Sequence, residues 1–127
     1  MFPAHKFGLA QPYGNVDWDL VMAYGRAMAY HPDWRPGYTE VWDVRFSRAV
    51  DIVPADIPRF LELEEETEAE LKGSETIVIA DRAALVLAVP LYNYIVRPKG
   101  RRVQAVRTGR EAAEILGIPE IPDLRER

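Results

Sequence analysis

The sequence predicts an α/β domain with a small, mainly parallel or mixed sheet of four to five strands and about four helices. Short runs rich in β-branched and aromatic residues alternate with longer segments whose apolar residues follow helical spacing. The helical segments have about ten or more residues, so each can return the chain across a sheet to a parallel strand. The 127 residues, 48% of them hydrophobic, are enough for one domain with its own core.

The first half of the chain predicts an edge strand, a helix and a central strand. HKFGLAQ indicates a short edge strand that stops before a proline. Asp17 is expected to cap a helix that ends before Pro32, because a short polar side chain can accept a hydrogen bond from the first turn. The run from 40 to 46 is rich in β-branched and aromatic residues and is expected to be central in the sheet.

The second half continues the alternation. Pro54 suits the first turn of a second helix, which is expected to run to Gly73. A buried strand at 76 to 80 leads into Asp81, which is expected to cap a helix through Val96.

The last strand is predicted at 102 to 106. Thr108 and Glu111 form a capping box for the final helix, and Gly117 closes it in a Schellman pattern. Residues 118 to 127 are predicted to form a loosely held tail on a single domain that spans 1 to 127.

Composition and charge exclude several classes of function. The chain has no cysteine, so disulfides, thiolate metal sites and cysteine nucleophiles are impossible, and a reducing cytoplasm is the expected location. The apolar run 83 to 96 is too short for a membrane span, and the N-terminus lacks the pattern of a signal peptide. A net charge of −4 argues against a general nucleic-acid binder.

Four runs of this sequence resemble a known family. HPDWRPGYTEVWDVR, VDIVPADI, IVIADRAALVLAVPLY and VQAVRTGREAAEILG look like the small bacterial stand-alone proteins related to the STAS domain, the fold of anti-sigma-factor antagonists. The resemblance covers roughly residues 14 to 117, and its motifs are patterns of turn and core rather than of chemistry. It implies a superhelix of βα units, and a binding module rather than an enzyme.

The same resemblance directs attention to one helix start. In phosphorylatable antagonists of that family, an Asp-Ser pair opens a helix and the serine accepts phosphate from a partner kinase. The matching run here is Asp51-Ile52-Val53-Pro54, which contains no hydroxyl. Ser47 is the nearby hydroxyl that remains as a substitute phosphosite.

Asp43 and Arg45 are the candidate ligand or ion-pair site, and Asp51 is its third candidate residue. Residues two apart on a strand share a face, and this pair is predicted near the carboxyl end of its strand, where α/β sheets place ligands. One interpretation is a polar pocket in which Arg45 binds an anion, and the other, favoured one is an internal ion pair. Asp51 is interpreted as a capping or turn residue, because a cation would need several converging oxygen ligands.

No cofactor is expected. The two histidines, His5 and His31, have no partners at zinc-site spacing, and nucleotide-binding and nucleophilic-triad motifs are absent from the sequence. Two runs of like charge remain, and solvated faces are the ordinary interpretation of both. The alternative interpretation is an electrostatic pairing of these runs between subunits or with a partner. The acidic run contains Glu62, Glu64, Glu65, Glu66, Glu68 and Glu70, and the basic run contains Arg97, Lys99, Arg101, Arg102, Arg107 and Arg110.

These observations support two hypotheses of function. The first is a non-enzymatic regulatory or protein-interaction module without the phosphorylatable serine, whose partner is another protein or a second copy in a homodimer. The second is a small-molecule or anion-binding domain with a polar pocket around Asp43 and Arg45. A binder needs a concave pocket at the strand ends, whereas an interaction module needs an exposed surface.

Overall fold

The computed structural model describes residues 1–51, 54–81 and 100–126, and this part of the chain forms an α/β fold. Its strands are β1 (Phe7–Ala10), β2 (Gly14–Asp17), β3 (Thr39–Asp43), β4 (Ser47–Asp51), β5 (Glu75–Ile79) and β6 (Arg102–Val106). Its α-helices are α1 (Trp18–Ala29), α2 (Ile57–Glu66) and α3 (Gly109–Leu116). The predicted helix at 82 to 96 lies outside the described residues.

The main sheet has four parallel strands in the order β1-β3-β5-β6. The prediction that the runs at 40 to 46, 76 to 80 and 102 to 106 are neighbouring strands is confirmed, and β1 is the predicted edge strand. A second sheet, which the sequence did not indicate, pairs β2 with β4 in parallel. Because all these pairs are parallel, the chain between two paired strands must cross over rather than turn back in a hairpin.

β3 ends three residues earlier than predicted. The chain turns at Arg45 and Phe46, and the amide of Ser47 donates to the carbonyl of Val44 at 3.2 Å. The run from 40 to 46 therefore contains most of β3 and the turn that leads to β4. Its composition does not mark the turn, because it has neither glycine nor proline.

The caps of α1 and α3 confirm the sequence prediction. Asp17 accepts a hydrogen bond from the amide of Leu20 at 2.9 Å, and Thr108 accepts one from the amide of Glu111 at 3.1 Å. Gly117 has a φ of 72°, and the following amide closes the Schellman pattern onto Ala113.

The prediction that the second helix runs from Pro54 to Gly73 is wrong at both ends. A 3-10 turn, Pro54–Asp56, precedes α2, and α2 itself stops at Glu66. The buried hydroxyl of Thr67 donates to the carbonyl of Leu63, and further turns carry the chain to Gly73. Thr67 marks the end of the α-helix because its hydroxyl bonds to the last turn of the helix.

Helices cover both faces of the main sheet. On one face, Val41, Ile77 and Ile79 pack in a cluster that includes Ala112 of α3. On the other face, Ala10 packs in a cluster with Met28 and Ala29 of α1. Alternation along β3 therefore points Asp43 toward the α3 face and Glu40 toward the opposite face.

α1 and α2 lie side by side and run in the same direction. Arg59 pairs with Asp19 at the first turns, at 2.6 Å, and Arg26 pairs with Glu66 at the last turns, at 2.9 Å. No helix within the described ranges is long and apolar enough to cross a membrane.

Candidate functional site

The candidate site lies where the parallel strands end, and its centre is the pair of Asp43 and Arg45. Asp43 is the last residue of β3 and is fully buried. Its carboxylate accepts two parallel hydrogen bonds from the Arg45 guanidinium, from Nε to Oδ1 and from Nη2 to Oδ2, each 2.8 Å long. The amide of Arg45 also donates to Oδ1 at 3.3 Å. This bidentate arrangement is the strong form of an arginine–carboxylate pair.

Arg45 does not lie on the strand, so the expectation that strand alternation places both charges on one face is wrong. The arginine is in the turn after β3, and its side chain folds back onto Asp43. Its hydrogen bond to Asp43 holds the pKa of the Arg45 guanidinium above the usual value, against the opposing effect of burial. The guanidinium therefore stays charged while 28% of its side chain remains exposed.

Gln11 connects this pair to the end of the described chain. It follows β1 and is buried, and its Nε2 donates both to Asp43 Oδ2, at 3.1 Å, and to the carbonyl of Pro122, at 2.7 Å. Its Oε1 accepts a hydrogen bond from the amide of Leu124, also at 2.7 Å. The side-chain amide of Gln11 thus binds a carbonyl and an N–H two residues apart, as a neighbouring backbone would.

A second arginine–aspartate pair repeats the geometry of the first. Arg125 donates from its amide and from Nε to Asp123 Oδ1, at 3.0 and 3.1 Å, and from Nη2 to Oδ2 at 2.8 Å. The hydrogen bonds from Arg125 lower the pKa of Asp123 below its usual value. The sequences Asp43-Val44-Arg45 and Asp123-Leu124-Arg125 therefore adopt the same Asp-x-Arg hydrogen-bonding arrangement.

Both guanidinium groups lie near one aromatic ring. The central carbon of Arg125 is 3.6 Å from the centroid of the Phe46 ring, and that of Arg45 is 5.5 Å away. Both distances are within the range of cation–π attraction. We call residues 121 to 126 the strap, because this segment crosses the carboxyl edge of the sheet and contacts Gln11 and Phe46. The sequence signal for it was the repeated Asp-aliphatic-Arg triplet, which our sequence analysis missed.

The strap is part of the tail, residues 118 to 127, that the sequence predicts to be loosely held. That the tail is loosely held stays a prediction. Ile118 and Ile121 pack against the core cluster on the α3 face. Beside the strap, a cavity of about 370 Å³ lies between β1 and α1 and has mainly apolar walls. Its lining includes Leu9, Tyr24, Met28 and Leu124, and Tyr13, 68% exposed, lies on it as well.

The other predicted site residues, Ser47 and Asp51, lie at the two ends of β4. Ser47 is the first residue of β4, is only 3% exposed, and donates from its hydroxyl to the carbonyl of Val44. Asp51 is the last residue of β4 and is in register with Asp17. Its side chain and residues 52–53 lie outside the described part of the chain, so its capping role stays a prediction.

The histidines provide no metal site in the described residues. His31 accepts a hydrogen bond at Nδ1 from the amide of Asp33, at 3.0 Å, just after α1. Within the ranges 1–51, 54–81 and 100–126, no group of three or more histidine or carboxylate side chains is arranged to hold a metal ion.

A buried charged cluster on the opposite face of the sheet was also missed. Arg101 donates to Glu64 of α2, to Glu40 of β3 at 3.2 Å, and to Thr76 of β5 at 3.0 Å. Thr76 in turn donates to Glu40 at 2.8 Å. Each of these four residues is at most 4% exposed. Burial raises the pKa of Glu40, and the nearby Arg101 opposes that shift.

This cluster corrects the interpretation of the two charge runs as solvated faces. Glu64 comes from the acidic run and Arg101 from the basic run, and the two pair inside one chain. Sequence pattern could not single them out because their neighbours carry the same charges. The side chain of Arg102, the next residue, is 64% exposed, as expected for a residue on a solvated face.

The four-stranded parallel sheet with helices on both its faces is an α/β fold of the kind found in SpoIIAA-like structures. In agreement, a crystal structure of an uncharacterized protein from the DUF3478 family, with a SpoIIAA-like fold, from Shewanella loihica superimposes with a TM-score of 0.57. The match covers 85% of this chain and 82% of that one at 14% sequence identity, so the similarity shows the fold alone. The chain matches no model of a known protein family, and no curated protein is significantly similar in sequence.

Proposed function

We propose that this chain is a non-enzymatic, STAS-like regulatory or protein-interaction module that acts in the cytoplasm by surface contact. The observation that carries the proposal is that the two charged side chains at the carboxyl edge of the sheet, Asp43 and Arg45, are paired with each other. Asp43 is fully buried and its carboxylate is bound by Arg45 and Gln11, so its hydrogen bonds already have partners within the chain. A buried carboxylate whose acceptor atoms already have partners within the chain is expected to have a structural role at the site.

The lack of a phosphorylatable serine also supports constitutive binding. The run from Asp51 to Pro54 has no hydroxyl, and the substitute, Ser47, is buried. A kinase would have to open the turn before β4 to reach it. In this proposal, regulation comes from the partner's availability, and a second copy of the chain in a homodimer is one of the partners considered.

In-cell photo-crosslinking tests this function. A photoreactive phenylalanine derivative replaces Tyr13, the exposed residue beside the cavity, in the full chain in its native cells. The control places the same group at Glu68, which is exposed and lies beyond the end of α2. We expect a discrete protein adduct from position 13 only, and an adduct of twice the chain mass would identify a second copy as the partner. Equal adducts from both positions, or none, would contradict the proposal.

A second function, anion binding at Arg45, is favoured by one specific contact. A Cβ built on Gly109, the first residue of α3, would lie 3.1 Å and 3.3 Å from the two terminal nitrogens of Arg45. The half-buried guanidinium therefore lies against the N-terminus of a helix, where backbone amides attract anions. Native mass spectrometry of protein isolated from its own cells tests this alternative. A discrete small-molecule mass that disappears in Arg45→Gln would favour it over the interaction module.

A further inference from the structure

The strap has the features of a bound peptide. Gln11 binds its backbone at the carbonyl of Pro122 and the amide of Leu124, and these contacts do not depend on the side chains of the strap. Asp123 fixes the Arg125 guanidinium in a fork, and Phe46 contacts that guanidinium at 3.6 Å. Backbone hydrogen bonds supply affinity in such complexes, and the side-chain contact supplies specificity.

We propose that the strap occupies the surface through which this module binds its partner, and that the partner is a polypeptide segment with an Asp-x-Arg sequence that replaces the strap and its 3-10 turn at Leu124–Glu126. This inference rests on the proposed function, and it adds the chemistry of the partner and the mode of regulation. The partner segment supplies a carbonyl and an amide to Gln11 and an arginine to Phe46. The strap is then an internal competitor that keeps the surface closed until the partner displaces it.

The motif is more specific than a requirement for positive charge. In both Asp-x-Arg triplets of this chain, the aspartate accepts two parallel hydrogen bonds from the arginine side chain. It accepts a third from the backbone amide of the same arginine. A lysine cannot form the same planar fork, because its ammonium is a single point of charge. A segment with lysine in place of arginine therefore loses both the fork and most of the stacking on Phe46.

The contacts that hold the strap are of kinds that a peptide in trans can make. They include two hydrogen bonds to Gln11, the stack on Phe46 and the packing of the partly buried Leu124 in the cavity wall. A segment tethered to its own site competes with an effective concentration in the millimolar range, so a free peptide binds the intact chain weakly. Release of the strap removes that competition and raises the apparent affinity for the peptide.

Binding of a labelled peptide in trans tests the inference. The peptide, PEIPDLRE, copies residues 119 to 126. Its binding by fluorescence anisotropy is compared between the unchanged full chain and the variant Leu124→Pro/Arg125→Ala, which lacks the strap's amide donor and its guanidinium. The single variant Arg125→Ala is a milder release in case the double variant does not fold, and circular dichroism checks both.

We expect the released variant to bind the peptide at least about tenfold more tightly than the unchanged chain. A peptide with lysine in place of arginine should bind roughly fivefold or more weakly. Gln11→Leu, added to the released variant, should abolish binding. The inference is overturned if the released variant binds no peptide, if both chains bind it equally, or if the lysine peptide binds equally well. If the peptide does not bind but the crosslinked adduct at position 13 is found, the proposed function stands and only this inference fails. If the adduct at position 13 is not found, the proposed function itself fails.

Discussion

Replacement of Arg101 by methionine should greatly destabilise this protein, although sequence pattern places Arg101 in a solvated basic run. Its guanidinium is buried and is the cation seen between two buried carboxyl groups, those of Glu40 and Glu64. Removal of one partner from a buried ionic cluster costs about 3–5 kcal/mol, because the remaining charges have lost their compensation. That loss is a large part of the roughly 5–15 kcal/mol that stabilises a domain of this kind.

The neighbouring residue provides a matched control. Arg102 pairs with Glu75 at 3.2 Å, but their side chains are 64% and 45% exposed. Exposed pairs contribute about 0–1 kcal/mol, so Arg102→Met should change the free energy of unfolding by no more than that. The two variants make the same chemical substitution at adjacent positions, and they differ in burial.

The pH dependence of the Arg101→Met variant gives a second readout. Burial raises the pKa of folded Glu40 above its usual value of 4.5, so this group contributes stability that is fully present below that value and is lost as pH rises through the folded pKa. Arg101 lowers the pKa of Glu40, so its removal raises that pKa further. The pH range over which the free energy of unfolding falls is then wider in the variant. The deficit of the variant should therefore be smaller at about pH 5 than at about pH 7.

Urea denaturation of the unchanged chain and both variants at the two pH values measures these effects. Adding Glu40→Gln to Arg101→Met should restore part of the loss at neutral pH, because the amide keeps an acceptor for Thr76 and removes a buried charge. Equal midpoints for Arg101→Met and Arg102→Met, or a deficit that grows as pH falls, would refute the reasoning.

Three further predictions concern the other polar contacts. Asp43→Ala removes the buried acceptor of Arg45, so denaturant melts should show a loss of about 1–3 kcal/mol. An unchanged midpoint together with lost ligand binding would favour the anion-binding alternative. Glu66→Ala breaks an exposed pair with Arg26, and its small effect in thermal melts should vanish in high salt; a large effect that persists in salt would argue against a screened pair. Ser47 should carry no stoichiometric phosphate in protein from native cells, because its hydroxyl is buried, and peptide mapping that finds one would restore an antagonist-type switch.

The features predicted correctly from sequence are those fixed by neighbouring residues. Asp17 and Thr108 cap helices through contacts three residues away, and Gly117 ends α3 through its own backbone conformation. The runs at 40 to 46, 76 to 80 and 102 to 106 were recognisable as strands because they are short and rich in β-branched residues. Such local signals determine the class of fold.

The features that were missed depend on contacts between distant residues. Gln11 contacts residues more than 100 positions later in the chain, and Arg101 meets Glu64 across 37 positions. Burial of a charge is decided by where its helix and strand meet, whereas the sequence shows only that its neighbours are charged. The contacts of the strap and of the buried cluster therefore required the folded structure, although the repeated Asp-x-Arg triplet of the strap is visible in the sequence.

The order of strands in the main sheet has a consequence for synthesis on the ribosome. From one edge to the other, the sheet reads β1, β3, β5, β6, which is also the order in which these strands are made. Each new strand therefore finds its partner already synthesised at the growing edge, and none must be inserted between two strands that have already paired. Parallel pairs form slowly because their contacts are distant in sequence, and growth in this order adds each new strand at the same side of the nascent sheet. Residues 121 to 126 follow all four of these strands in the chain, so the surface around Phe46 is still open while the main sheet forms.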